Sequence, residues 1–163
     1  MKWNQEFDVI VVGSGASGFS AAITATLEGL DTLLIEKESV FGGASAYSGG
    51  GIWIPNNRYL MEAGVGDSYE EAKLYLDTTV GERTPDVIKE TYLKKGVEML
   101  DYFHEKAQHM RFFYAKDYSD YYAHLPGGKA HGRSIEPHIF DLRKLGEWYP
   151  LMRKAAMDTK GFV

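Results

Sequence analysis

Four consecutive apolar residues, Val9-Ile10-Val11-Val12, stand between the polar Asp8 and a glycine. A β-branched run this short and unbroken predicts a strand within Phe7 to Val12, buried on both faces as in a parallel sheet. From Ala16 to Leu27 the spacing changes: Phe19, Ile23 and Thr26-Leu27 recur at helical intervals in an alanine-rich setting, and Gly29 stands where a helix C-cap glycine belongs. Thr32 to Ile35 repeats the buried-strand pattern and ends in Glu36. Strand, turn, helix and strand within about 30 residues have the size of a right-handed βαβ crossover.

Beyond this unit the pattern loosens. Phe41 to Asn57 is rich in glycine and serine with little period, and its aromatic residues predict an ordered loop. Ser68-Tyr69-Glu70-Glu71 forms a capping box that predicts a helix to about Val80. Thr84-Pro85 begins another, with proline at the first helical position and Ile88, Tyr92, Met99 and Phe103 as its core stripe, ending near Ala107. A strand is expected in Met110 to Tyr114, irregular chain from Tyr118 to Pro137, and a helical segment from about Asp141 to Met157. The chain thus divides into residues 1–60, a βαβ unit with a glycine-rich loop, and 61–163, mostly helical. A parallel sheet needs further parallel neighbours to cover its first strand. The expectation is therefore a fragment, incomplete at its C-terminus.

Composition narrows the function. There is no cysteine, and 18 Lys and Arg against 23 Asp and Glu leave a charge of −5, which argues against nucleic-acid or anionic-membrane partners. No apolar run reaches the length of a signal-peptide core or a transmembrane span, so a cytoplasmic protein is expected. The histidines at 104, 109, 124, 131 and 138 lack metal-site spacing, and no serine sits in a Gly-x-Ser-x-Gly elbow. Lys129, His131 and Arg133 read as a solvated basic loop. Glycine is the outlier, at 18 of 163 residues, and nine of the 18 lie between Gly13 and Gly51.

Six residues, Gly13-Ser14-Gly15-Ala16-Ser17-Gly18, link the first strand to its helix. In this spacing Gly13 permits the tight turn, Gly15 lets backbone meet a pyrophosphate, and Gly18 lets helix pack on strand. The helix N-terminus adds unsatisfied N–H groups for the phosphates. Glu36, 21 residues after Gly15, stands where ribose hydroxyls would be met, and its charge disfavours a 2′-phosphate. After Glu36-Lys37 comes a second loop, Gly42-Gly43-Ala44-Ser45-Ala46-Tyr47-Ser48-Gly49-Gly50-Gly51. Such a loop can follow the rest of a long cofactor, which favours FAD over NAD, a small NAD-binding domain being the alternative. The candidate cofactor-binding residues are the six of the first loop, Glu36, Lys37, Gly42, Gly43, Ala44, Ser45, Ser48, Gly49, Gly50 and Gly51.

Phe7 to Asn57 resembles the FAD-binding N-terminus of the fumarate reductase/succinate dehydrogenase flavoprotein superfamily. The string Ser48-Gly49-Gly50-Gly51-Ile52-Trp53-Ile54-Pro55-Asn56-Asn57 resembles its 3-ketosteroid dehydrogenase branch most closely. Tyr118-Ser119-Asp120-Tyr121-Tyr122, Pro126-Gly127-Gly128 and Gly132-Arg133-Ser134-Ile135-Glu136-Pro137 resemble the active-site loop of 3-ketosteroid Δ1-dehydrogenases and the segment after it. The resemblance implies an α/β, Rossmann-like FAD-binding fold, here an incomplete parallel sheet with helices from the N-terminal part of a two-domain flavoprotein. It also implies dehydrogenation of a steroid A ring: a tyrosine takes a proton beside the 3-keto group while hydride passes to flavin N5. A phenol of ordinary pKa about 10 needs its anion stabilised to act as that base, and a second tyrosine hydroxyl can do this. By resemblance Tyr121 is the supporting tyrosine and Tyr118 the next candidate, while the proton-abstracting tyrosine lies downstream of these residues. Ala123 and His124 depart from the Pro and Glu common in relatives.

Succinate dehydrogenases tether FAD through a histidine after the Gly-Gly pair, and Ala44 to Ser48 holds none, so noncovalent FAD is expected. The partners implied are a small apolar steroid and an electron acceptor. Three alternatives remain: a 3-oxo-5α-steroid 4-dehydrogenase, a fumarate-reductase-like enzyme on an unsaturated acid, or a non-catalytic remnant. Tyr47, Trp53 and Tyr121 favour an apolar ring over a dicarboxylate.

Overall fold

The computed structural model describes residues 4–155. These form two compact units, one from the described residues of Met1–Gly49 and Ile139–Val163, the other Gly50–His138. The divisions fall at Gly49 and His138, where the sequence suggests one near residue 60. The physical reason is that Ile52 and Trp53 join a sheet with later residues.

In the first unit β1 (Val9–Val12) pairs in parallel with β2 (Thr32–Ile35), from Val9 opposite Thr32 to Val12 opposite Ile35. Between them runs α1 (Ala16–Leu27), as the spacing predicts. Gly18 sets how close α1 comes: a Cβ there would fall 1.9 Å from the Gly13 carbonyl oxygen. The expectation that β1 is buried on both faces fails, since Ile10 and Val12 are 58% and 80% exposed. One helix and one partner strand cover a single face, the one carrying Val9 and Val11. A 3-10 helix follows at Gly43–Tyr47. The returning segment joins Phe41 through two hydrogen bonds, Phe41 N–H to the Leu151 carbonyl and Arg153 N–H to the Phe41 carbonyl, each 2.8 Å. Where a helix is expected from Asp141, the chain forms 3-10 turns over Leu142–Leu151, broken by Gly146 at φ +57° and containing Pro150. Residues 156 and 157 of that expected helix lie outside the described residues.

The second unit holds α2 (Arg58–Glu62), α3 (Tyr69–Thr79), α4 (Asp86–Lys106) and a three-stranded antiparallel sheet in the order β3 (Ile52–Trp53), β5 (Ser134–Pro137), β4 (Phe112–Tyr114). Ile54, Tyr59, Leu100 and Ile135 form its core. Asn57 caps α2 by accepting from the Tyr59 and Leu60 amides, and Ser68 caps α3 as the capping box predicts. On α4 the stripe is displaced by one position from the expected one: Lys89, Leu93, Leu100 and Phe103 are buried, whereas Ile88, Tyr92 and Met99 are exposed. Burial of Lys89 is offset by ion pairs to Asp77 at 2.7 Å and Asp86 at 2.8 Å. Pro85 stands just outside α4, at its cap. Among the described residues no helix is long and apolar enough to cross a membrane.

Candidate cofactor site and tyrosine loop

In the first unit α1 opens at Gly15 with no side-chain cap, which leaves N–H groups of its first turn, and the positive end of its dipole, for an anion. The glycines of this turn have different reasons. Gly18 is demanded by the protein, because of the Gly13 carbonyl. Gly43 is held at φ +55°, and its Cβ would lie 3.1 Å from Gly15 Cα, so the two glycine loops touch through backbone. At Gly15 a Cβ would meet only Ser45 Oγ, at 3.7 Å. Space, not protein, lies in front of it.

Glu36 is already fixed. Its Oε2 accepts from the Ser14 amide at 2.9 Å and the Ser14 hydroxyl at 2.5 Å, and its Oε1 from the Glu38 amide at 3.1 Å. The Ser14 hydroxyl, then the amides of Glu38 and Ser14, hold its pKa down to about 2. Ser14 is fully buried and also accepts from the Gly42 amide at 3.0 Å, so it ties the first loop to both Glu36 and the second loop. Ser45 Oγ accepts from the Ala16 amide at 3.0 Å. Ala44 lies with it in the 3-10 helix, and Lys37 is exposed beside Glu38. A cavity of about 570 Å³ opens beside Glu36 and is lined by Phe19, Leu34, Val40, Phe41 and Trp148.

Sequence reasoning misses Arg153. Its guanidinium lies 5.7 Å from the centre of the Tyr47 ring, its Nη1 donates to the Tyr47 hydroxyl at 3.2 Å, and its buried Nε–H has no hydrogen-bond partner. A lone arginine 117 positions beyond Glu36 gives no signal in a linear pattern. These features fit FAD: a helix N-terminus at which Ser45 takes only the Ala16 amide, open glycine backbone for phosphate, an ionised acceptor for ribose hydroxyls, and an orphaned cationic donor.

Gly50 and Gly51 belong to the second unit, and so does the tyrosine loop. Tyr121 is 87% exposed, Tyr118 and Tyr122 about half so. The neighbouring Tyr121 hydroxyl is the largest cause of a Tyr118 pKa raised above its ordinary value of 10. Tyr118 therefore keeps its proton at neutral pH. The segment Gly127 to Arg133 packs behind the loop. A Cβ on Gly132, at φ +73°, would fall 1.7 Å from the Tyr118 carbonyl oxygen. The solvated basic loop expected of Lys129, His131 and Arg133 holds only for His131, which is exposed and paired with Asp117 at 3.1 Å. Arg133 is wholly buried against Asp67 and Asp120, and Lys129 pairs with Glu71 at 3.0 Å. Two aspartates far apart in sequence neutralise the arginine, which is why spacing alone places it in solvent.

The family described as FAD binding domain matches residues 8–159. A 3-oxosteroid 1-dehydrogenase of Mycolicibacterium smegmatis is 49% identical over 142 residues, 87% of this chain and 25% of that protein. A 4-oxocyclohex-2-ene-1-carboxylate 5-dehydrogenase of Sinomonas cyclohexanicum is 40% identical over 154 residues, covering 90% of this chain and 24% of that protein. A 3-ketosteroid delta1-dehydrogenase from Sterolibacterium denitrificans, solved in complex with 1,4-androstadiene-3,17-dione, superposes with a TM-score of 0.80 at 40% identity, over 91% of this chain and 26% of its own. The chain spans about a quarter of the length of these relatives.

Proposed function

The chain belongs to the FAD binding domain family, and on that premise we propose that it supplies the cofactor-binding start and the tyrosine loop of a 3-ketosteroid 1-dehydrogenase. The observation that carries this reading is the exposure of Tyr118 and Tyr121 on a loop whose root is a buried ion pair. When bound, FAD supplies the two-electron oxidising capacity that removal of two hydrogens from adjacent ring carbons requires. It is held noncovalently.

This chain's residues bind, orient and hold protons. The first turn of α1, with Gly13, Gly15, Ala16, Ser17 and Gly18, takes the pyrophosphate. Glu36, ionised and anchored by Ser14, accepts from the ribose diol, and the apolar cavity beside it suits the adenine. Gly42, Gly43, Ala44, Ser45, Ser48 and Gly49 line the path towards the flavin, with Lys37 next to Glu36 in sequence, and Arg153 adds a donor for phosphate oxygen. Tyr121 Oη donates to the phenolate of the proton-abstracting tyrosine contributed by residues outside this chain. Tyr118 donates to Tyr121 Oη in turn, which strengthens Tyr121 as a donor.

A smaller ring ketone is the second reading, favoured by the Sinomonas relative. A substrate carboxylate needs a free cation, and beside the tyrosine loop Lys129 and Arg133 are already paired with Asp67, Glu71 and Asp120. That favours the apolar steroid. Turnover would require an electron acceptor, which a dye can replace in assay, and the protein works in the cytoplasm. Assay of the whole protein with a 4-ene-3-ketosteroid and a dye acceptor tests the reading: a 1,4-diene product supports it. Turnover of only the 4-oxocyclohexene carboxylate transfers the assignment to the second reading.

A further inference from the structure

Between the exposed rings of Tyr118 and Tyr121, Asp120 turns inward and is buried. Its Oδ1 accepts from Trp53 Nε1 at 2.8 Å. Its Oδ2 accepts from Arg133 Nη1 at 2.5 Å and from the Lys129 amide at 3.1 Å, and the Asp120 amide donates back to the Lys129 carbonyl at 3.1 Å. Arg133 is fixed on its other sides, by Asp67 through Nε at 3.0 Å and by the Gly127 carbonyl through Nη2 at 2.8 Å. Its guanidinium lies 5.8 Å from the Trp53 ring and 5.6 Å from the Tyr75 ring. The Tyr75 hydroxyl accepts from the Tyr122 amide at 3.2 Å.

A buried ion pair is a poor source of net stability, because apolar groups of equal volume are often as stable. What a planar guanidinium with three fixed partners supplies is direction. Asp120 lies one residue from Tyr121 and two from Tyr118, so any rotation at Asp120 carries both hydroxyls with it. We propose that Asp120 and Arg133 are positioning residues: the pair holds the loop so that Tyr118 and Tyr121 stay in line, and Trp53 limits the tilt of the Asp120 carboxylate. This rests on the reading of Tyr121 as the tyrosine that supports proton removal.

The test uses the whole FAD-loaded protein. Asp120→Asn lowers kcat by about 10- to 100-fold, since an ångström of misplacement is worth that much, with KM within about three-fold, because ground-state binding is not what is lost. FAD content is unchanged, and faster amide exchange is confined to residues 117–124. In a Tyr121→Phe background Asp120→Asn costs nothing further, because its effect runs through Tyr121. An unchanged kcat, or a loss that multiplies onto that of Tyr121→Phe, overturns the proposal. If Asp120→Asn does not fold, Trp53→Phe removes the Nε1 donor to Asp120 together with part of the ring beside Arg133; a smaller loss, absent in the Tyr121→Phe background, supports the proposal, and no loss or a multiplying one overturns it. A wild type that turns over no ketosteroid sinks the reading of the reaction instead. Amide exchange of 117–124 in the folded variant then decides the anchor, and unchanged exchange overturns it.

Discussion

Ser14 and Glu36, 22 residues apart, meet at one carboxylate oxygen that accepts from both the Ser14 amide and the Ser14 hydroxyl. The carboxylate is thereby aimed and ionised before any ligand arrives. A carboxyl with a lowered pKa stabilises the fold above its ordinary value of 4.5, and that contribution is lost as pH falls to about 2. Glu36→Gln should therefore show a constant stability deficit above about pH 5 that closes as pH approaches 2. Ser14→Ala should move this window upward. Urea melts across the acid range check both.

Gly15 and Gly18 separate cofactor from protein. Gly18→Ala places a methyl 1.9 Å from a backbone oxygen and should cost about 3 kcal/mol or more in stability. Gly15→Ala meets no closer neighbour than Ser45 Oγ at 3.7 Å. Its apo-protein melting temperature should stay near that of wild type while the dissociation constant for FAD rises at least about tenfold, roughly 1.4 kcal/mol. Thermal melts and flavin fluorescence titration distinguish the two.

Tyr118→Phe removes the donor behind Tyr121. A neutral hydrogen bond of this kind is worth about 1 kcal/mol, so kcat should fall about fivefold with KM unchanged. Because the Tyr118 pKa lies above 10, the wild-type advantage should persist through neutral pH and shrink only as Tyr118 loses its proton above that value. A pH–rate profile of both proteins reads this directly.

Flavin attachment is checked by acid precipitation. With no histidine from Ala44 to Ser48, FAD should remain in the supernatant and leave a colourless pellet. A yellow pellet would mean a covalent bond elsewhere.

The parts legible in the sequence were local in origin. β1, α1 and β2 follow from one short apolar run, one helical spacing and one glycine motif, and α3 from Ser68 and its capping box. What was hidden depends on partners distant in the chain. β3 is two residues long and β5 carries Glu136 and Pro137, so neither alternates; both exist because Ile52 and Tyr114 pair with Ile135. The buried face of α4 departs from its apolar spacing because Lys89 is buried, which Asp77, Asp86 and the Gly81 carbonyl permit. Gly96 marks the same face, its Cα side 3.2 Å from Ile54 Cγ2 where a Cβ would stand. In the site, Gly15 and Glu36 were readable from spacing. The burial of Arg133 and the orphaned donor of Arg153 were not, since each is defined by residues tens of positions away.

On the proposed reading, an FAD-binding chain presents Tyr121 to a steroid ring. The most direct measurement is turnover of a 4-ene-3-ketosteroid by the whole FAD-loaded protein and its Tyr121→Phe variant, with a dye as acceptor and the product identified by mass. The expected result is a 1,4-diene from the wild type and a kcat lowered by about 10²-fold or more in the variant at equal FAD content, the range of a lost acid–base contribution. A wild type that binds FAD but leaves the steroid unchanged, or a variant as fast as wild type, would contradict it.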